Sequence, residues 1–298
     1  MRSEITDCSL CPRNCHINRN ISRGYCGSSG AIHVSRAALH MWEEPCISGE
    51  KGSGTVFFSG CPLHCVYCQN QKISQCEIGK ILTVSELSDT FLELQNKGAN
   101  NINLVTPTHY ILQIREALML AKEKGLTVPI VYNTGGYEKV ESLRLLGGLV
   151  DVYLPDCKYF SSEIGAKYSN APDYFMVAMA AIREMYEQVG NPCFNQEGIM
   201  TKGVIVRHLL LPGLLEDSKS VIRALYKEFG DDVYLSIMNQ YTPMPDIGKK
   251  YPELAVKVSN KDYDELVDYA IDMGVENGFI QEGETALESF IPDFYEEW

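Results

Sequence analysis

The chain has 298 residues, 45% of them hydrophobic and 22% charged, with a net charge of −13 and 11 cysteines. This is the composition of an ordinary folded protein, sized for one large α/β unit or two small ones. The acidic balance, with no compact run of lysine and arginine, excludes a nucleic-acid footprint. No apolar run is long enough for a bilayer, Met1-Arg2-Ser3-Glu4 opens no apolar leader, and the odd cysteine count points to a reducing cytoplasm where thiols serve metals.

Residues 1–50 are expected to form a cysteine-rich, metal-binding N-terminal segment. Cys8, Cys11, Cys15 and Cys26 place four thiolates within nineteen residues. So short a segment has little core, and metal ligation would supply its folding energy. A structural zinc ion and an auxiliary iron–sulfur cluster both accept four thiolates. Zinc is favoured because the four ligands are present on an isolated segment; free reduced thiols are the alternative. Cys46, Cys76, Cys157 and Cys193 read as ordinary thiols.

A strand is predicted at Thr55–Ser59, and directly after Gly60 come Cys61, Cys65 and Cys68, spaced C-x3-C-x2-C. Three thiolates on one tight loop hold three corners of a [4Fe-4S] cube and leave one iron open. An electron-transfer cluster is normally closed by four cysteines, whereas a reactive centre keeps an open position. A zinc site closed by Cys46 or Cys76 is the competing reading, but zinc usually uses paired C-x2-C knuckles.

Beyond this loop, short apolar runs alternate with amphipathic stretches. Strands are predicted at Ile102–Thr106, Pro129–Asn133, Val152–Pro155, Val204–Leu211 and Val233–Met238, each as apolar as a strand buried on both faces. Thr83-Val84-Ser85-Glu86 forms a capping-box pattern ahead of Val84, Leu87, Phe91 and Leu94. Further helices are expected over Ile111–Ala121, Tyr174–Val189, Val221–Phe229 and Asp262–Asp272. Six such strand–helix units are too few for a closed eight-unit barrel. The fold class is therefore α/β, an open partial (β/α)6 barrel over 51–244, with 245–298 as a C-terminal extension packed on it.

In parallel α/β folds the site lies at the carboxyl ends of the strands. Thr106 and Thr108 follow strand two, Asn133 ends strand three before Gly135-Gly136, and Asp156 and Lys158 follow strand four. Asp156 and Lys158 should face one side, because side chains alternate along an extended chain. Arg207 within an apolar strand must meet an anion or a solvent cavity. Asn239 and Gln240 follow strand six. His109 and His208 read as structural.

Gly60-Cys61-Pro62-Leu63-His64-Cys65-Val66-Tyr67-Cys68-Gln69-Asn70 resembles the C-x3-C-x-aromatic-C signature of radical S-adenosylmethionine (SAM) enzymes. The resemblance implies a partial barrel, a [4Fe-4S] cluster on Cys61, Cys65 and Cys68, and reductive cleavage of SAM to a 5'-deoxyadenosyl radical. It places Tyr67 near the adenine, an ordinary core aromatic being the alternative. The Asn133–Tyr137 turn, Asp156-Cys157-Lys158 and the Arg207–Gly213 stretch are similar to motifs of glycyl-radical activating enzymes, with Asn133 where an aspartate is usual. The Gly-Gly-Glu stretch that takes the methionine amine in the wider family is missing; Thr106 and Thr108 are its substitutes by position. Asn239 is implied at the adenosine.

The likeness is nearest to homologues of pyruvate formate-lyase activating enzyme, in a branch with an N-terminal cysteine motif, Glu43-Glu44-Pro45-Cys46-Ile47-Ser48-Gly49 and Thr106-Pro107-Thr108-His109. The implied partners are SAM, an electron donor such as flavodoxin or ferredoxin, and a glycyl-radical enzyme. Radical modification of a peptide or small metabolite is the alternative, and a non-catalytic metal-binding scaffold is the reading from another class.

Overall fold

Six short apolar segments lie side by side in the order of the chain, each parallel to the next, and this repeat organises the molecule. The computed structural model describes residues 5–75 and 77–281. The six are β2 (Ser53–Phe58), β4 (Ile102–Val105), β5 (Ile130–Thr134), β6 (Val152–Pro155), β8 (Met200–Leu209) and β9 (Tyr234–Met238). Every residue of β2, β4, β5 and β6 is buried, as a sheet covered on both faces requires. These are the six predicted strands, shifted by a few residues at their ends. Together they form the open partial barrel.

Two edges extend the barrel beyond expectation. β1 (Ile32–His40) runs antiparallel to β2, and β3 (Lys80–Leu82) pairs antiparallel with β1. At the far edge β10 (Gly278–Ile280) adds a parallel strand to β9, while β7 (Cys193–Phe194) pairs antiparallel with β8. The N-terminal segment is thus continuous with the barrel sheet through β1.

Helices return between the strands. In chain order they are α1 (Pro45–Ser48), α2 (Gln71–Ser74), α3 (Val84–Asn96), α4 (Ile111–Glu123), α5 (Val140–Leu143), α6 (Ser162–Ser169), α7 (Tyr174–Val189), α8 (Leu215–Phe229) and α9 (Asn260–Asp272). The capping box at α3 forms as its sequence dictates. Glu86 N–H donates to Thr83 Oγ1 at 3.2 Å, and Thr83 N–H donates to Glu86 Oε2 at 2.7 Å. Its Leu87, Phe91 and Leu94 then face the core. Among the described residues no helix is long and apolar enough to cross a membrane.

The lumen is filled in layers, because alternate residues of a barrel strand point inward. The short α1 closes it from below. Its Ile47 packs with Val131, Val152, Leu154, Met200 and Ile205, and Cys46 belongs to this floor. Above it comes a polar layer from Asn103, Asn133, Arg207 and Ser236, and above that the strand ends.

Candidate active site at the carboxyl ends of the strands

The loop after β2 is shaped by two left-handed residues, Gly60 at φ 88° and His64 at φ 53°. A side chain at Gly60 would stand 2.7 Å from the Cys26 carbonyl oxygen, so only glycine fits there. The loop is held by backbone bonds from Gly60 to Ile73, Cys61 to Cys26, Val66 to Tyr168 and Cys68 to Cys65, at 2.8–3.1 Å. Ser169 Oγ donates to Cys65 Sγ at 2.9 Å, and Leu63 N–H lies 3.4 Å from Cys61 Sγ. Burial raises the Cys61 thiol to about 12 and the Cys68 thiol to about 11, with the neighbouring cysteines adding to both.

Beside this loop the strand-end charges form one network. Lys158 Nζ donates to Asp156 Oδ2 at 2.5 Å, and Arg207 Nε donates to Asp156 Oδ1 at 3.0 Å. The Arg207 Nη2 donates to Asn133 Oδ1 at 2.6 Å, and Nη1 to Glu43 Oε2 at 3.3 Å. Burial opposes ionisation of Asp156, but the two cations prevail and lower its pKa. Burial likewise works against the Lys158 ammonium, yet Asp156 and Cys65 raise its pKa. Arg207 is 16% exposed and lines a cavity of about 390 Å³ that also reaches Gln69, Asn70, Asn133 and Gln240. Asp156, Lys158, Arg207 and Asn133 are therefore brought together, next to the cysteine loop.

Residues 55–225, more than half of the chain, match the Radical SAM superfamily. The chain belongs to this superfamily. An uncharacterized protein of Methanocaldococcus jannaschii is 28% identical over 273 residues, covering 89% of this chain and 74% of its own length. Streptococcus suis SuiB bound to S-adenosylmethionine superposes with a TM-score of 0.51 at 13% identity, over 76% of this chain and 49% of SuiB. Methylornithine synthase (PylB) gives 0.50 at 16% identity, over 71% of this chain and 59% of the synthase. The chain thus spans about half the length of SuiB; at these identities the likeness is one of fold.

Radical SAM membership implies a [4Fe-4S] cluster and SAM, and the donor set here fits the cluster. Three thiols project from one loop, a hydroxyl already supports the middle sulfur, and Lys158 bears on Cys65 and Cys68. The Cys61 and Cys68 thiols, which burial makes reluctant to ionise, must give up their protons to bind metal. Cys46, a competing fourth ligand for zinc, is packed in the barrel floor, and Cys76 lies outside the described residues. Among the described residues no three His, Cys, Asp or Glu side chains gather as ligands of a single ion.

The other predicted contacts are placed differently. Tyr67 is buried among Tyr159, Tyr168 and Tyr241, with ring centroids 6.3–6.5 Å apart. Its hydroxyl meets Tyr159 at 2.6 Å, so it backs the cysteine loop as part of an aromatic core. Thr108 is turned inward and donates to Glu138 Oε1 at 2.5 Å. Thr106 takes φ 57°, costly for a β-branched residue, and its N–H donates to the Asn133 carbonyl at 2.9 Å. Asn239 N–H donates to Gln281 Oε1 at 2.8 Å. His109 is buried with Nε2 2.7 Å from the Ser59 carbonyl, and its pKa is held down to about 3 by burial and Arg19. His208 is buried against the Cys157 carbonyl.

In the N-terminal segment the Cys15 and Cys26 sulfurs both face Gly24, 3.6 and 3.5 Å from where its side-chain carbon would stand. Burial pushes Cys11 up to about 12, with Cys26, Glu138 and Cys15 adding to it, and raises Cys26, with a further push from Cys8.

Several site residues carry no signal at strand ends. Glu43 accepts from Asn103 Nδ2 at 3.0 Å and Asn133 Nδ2 at 3.3 Å, while Glu44 is buried beside it. The pair Glu43-Glu44 before Pro45 is conspicuous in sequence, but nothing local tells that α1 lifts it into the lumen. Glu138, buried between Thr108 and Thr134, was equally silent.

Proposed function

We propose that Cys61, Cys65 and Cys68 hold the cluster and that the protein reductively cleaves SAM. When bound, the cluster and SAM together supply a 5'-deoxyadenosyl radical. The observation that carries this reading is the junction of the cysteine loop with the Asp156–Lys158–Arg207 network.

The chain's own residues bind and orient. Lys158 faces an anionic group, the methionyl carboxylate, while Asp156 holds both Lys158 and Arg207 in place. Arg207 fixes Asp156 from below, Asn133 holds Arg207, and the two stand towards the ribose. Thr106, whose N–H is held by the Asn133 carbonyl, and Asn239 complete the contacts to methionine and adenosine. Tyr67 and Thr108 support this surface through the tyrosine cluster and Glu138, and the closely packed loop excludes water from the reacting atoms.

The hydrogen is taken from a glycine Cα of a partner glycyl-radical enzyme, a reading supported by the ordered run of strand-end motifs from Gly60 to Pro243. Flavodoxin or ferredoxin supplies the electron. Cys8, Cys11, Cys15 and Cys26 bind a structural metal, zinc by preference over an auxiliary cluster because four thiolates suffice for it, with binding drawing the four together. The proposed divisions are 1–50, whose β1 and α1 join the barrel, 51–244 and 245–298, within a reducing cytoplasm.

Anaerobic protein given SAM and a strong reductant should release 5'-deoxyadenosine without substrate, with a four-iron signal by paramagnetic resonance. Zinc alone at Cys61, Cys65 and Cys68 sinks the proposal. Addition of a candidate glycyl-radical enzyme should produce a glycyl radical signal; its absence with a genomically neighbouring partner rejects the finer reading only.

A further inference from the structure

The polar layer below the strand ends gathers three carboxyl groups, Glu43, Glu44 and Asp156. Among the described residues they face two cations there, Arg207 and Lys158. Lys158 bonds Asp156, and Arg207 divides its nitrogens among Asp156, Asn133 and Glu43. None of those bonds reaches Glu44. Glu44 is only 9% exposed, and its Oε2 is fully enclosed with no hydrogen-bond partner. The Ser236 side chain and the residue's own backbone N–H approach the carboxylate, leaving that one oxygen open.

Glu44 lines the 390 Å³ cavity. A buried carboxylate with an unpartnered oxygen beside a cavity is costly unless a proton or a cation completes it. Burial accordingly raises the pKa of Glu44, against the pull of Arg207. The same cavity is walled by Phe57, Val105 and Met238, with Trp42, 62% exposed, at its mouth. Glu43 and Arg207 line the cavity as well, but they bond each other; the apolar side leading to the unpartnered Glu44 carboxylate suits an ammonium on an alkyl stem.

We infer that Glu44 seats a primary ammonium, borne on an alkyl stem, of the molecule this enzyme acts on. The ammonium of SAM is the other source of the same chemistry, but the depth of Glu44 argues against it. Lys158 is the group that bears on Cys65 and Cys68, whereas Glu44 answers to Arg207, Glu43 and Ser236. Ser236 lies two residues before the end of β9, so the seat is a layer below the rim. The inference rests on reading that rim as the SAM site, and it extends that reading to the substrate.

Binding to the full-length, cluster-loaded protein is measured anaerobically by calorimetry, with SAM present. The probes are n-hexylamine, hexan-1-ol, hexanoate and Nα-acetyl-lysine N-methylamide. Hexylamine should bind about tenfold or more tightly than the alcohol, Glu44→Gln should bring the two within about twofold, and hexanoate should not bind. Preference for the lysine derivative over hexylamine names a peptide as the source of the stem, and the reverse names a free amine. Equal binding of hexylamine and hexanol by the natural protein, including none of either, overturns the inference. So does a Glu44→Gln variant that keeps the preference, or one that loses SAM affinity instead. If the natural protein prefers hexylamine but neither binds SAM nor releases 5'-deoxyadenosine, the rim reading fails and the ammonium seat stands.

Discussion

The loop of Cys61, Cys65 and Cys68 hangs from a strand end of the barrel, whereas Cys8, Cys11, Cys15 and Cys26 ride on a segment with no strand before Ile32 among the described residues. The first borrows its order from a fully buried sheet. The second is tied down by individual side chains. Arg13 donates to the carbonyls of Pro62, Asn170 and Ser169 at 2.6–3.0 Å and stacks on Tyr25 and Tyr137. Buried Arg19 reaches the carbonyls of His109 and Ser29. The two regions nevertheless meet, since Cys61 N–H donates to the Cys26 carbonyl and Tyr25 stacks on His64 with centroids 5.0 Å apart. The N-terminal segment is a buttress of the cluster loop, so the difference between them is one of support rather than of place.

That asymmetry breaks most sharply at Cys65. Cys65→Ala removes one of the three proposed cluster thiolates and the acceptor of Ser169. It should cut 5'-deoxyadenosine release to background and erase the cluster resonance. The barrel should lose only about 1–2 kcal/mol of stability in urea, because its core lies in the strands.

Arg13→Ala tests the buttress without touching a cysteine. Three carbonyls lose a charged donor, which should cost roughly 3 kcal/mol in urea unfolding. The rate of SAM cleavage should fall as well, since Pro62 lies inside the loop. Arg13→Lys keeps the charge but not the planar fork, and should recover less than half. Unchanged cleavage would show that the two regions are independent.

Glu138, buried under Thr108 and Thr134, offers a subtler probe of the ground between them. Burial raises its carboxyl from the ordinary 4.5 to about 7, against hydrogen bonds that lower it. Between those values the folded protein keeps a proton that the unfolded chain has lost. Stability should therefore be greatest at acid pH, fall as pH rises from 4.5 to 7, and level off above, by on the order of 3 kcal/mol at most. Urea midpoints of the metal-free protein across this range should show the slope, and Glu138→Gln should flatten it.

The smallest effect is expected at Ser142, whose buried hydroxyl donates to the Leu10 carbonyl at 2.8 Å. Ser142→Ala should cost about 1 kcal/mol and speed proteolysis within residues 5–30, leaving cleavage of SAM within error.

Much of the barrel was legible because its code is local. Short apolar runs between amphipathic stretches can only be strands buried on both faces, and Tyr174–Val189 falls at its predicted ends. β1 was not legible: its alternation is broken at Ser35 and Arg36, where the ladder itself shifts register. Asp156, Lys158 and Arg207 could be named because ions in apolar strands demand a reason. The turn of Thr108 toward Glu138 could not, since a hydroxyl at a strand end looks alike whichever way it faces.

By itself, the sequence determined the strand–helix repeat, the cysteine loop after the first barrel strand, and the charged positions at the rim. These are properties of spacing, and spacing survives without neighbours. Only the tertiary structure decided which charges meet, that the N-terminal cysteines brace the loop, and that Glu43 and Glu44 rise into the lumen. Those outcomes depend on contacts between residues more than a hundred positions apart, such as Arg207 with Glu43 and Arg13 with Ser169. A carboxylate shows its chemistry only once burial and its partners are set, and both are supplied by the closing of the barrel around α1.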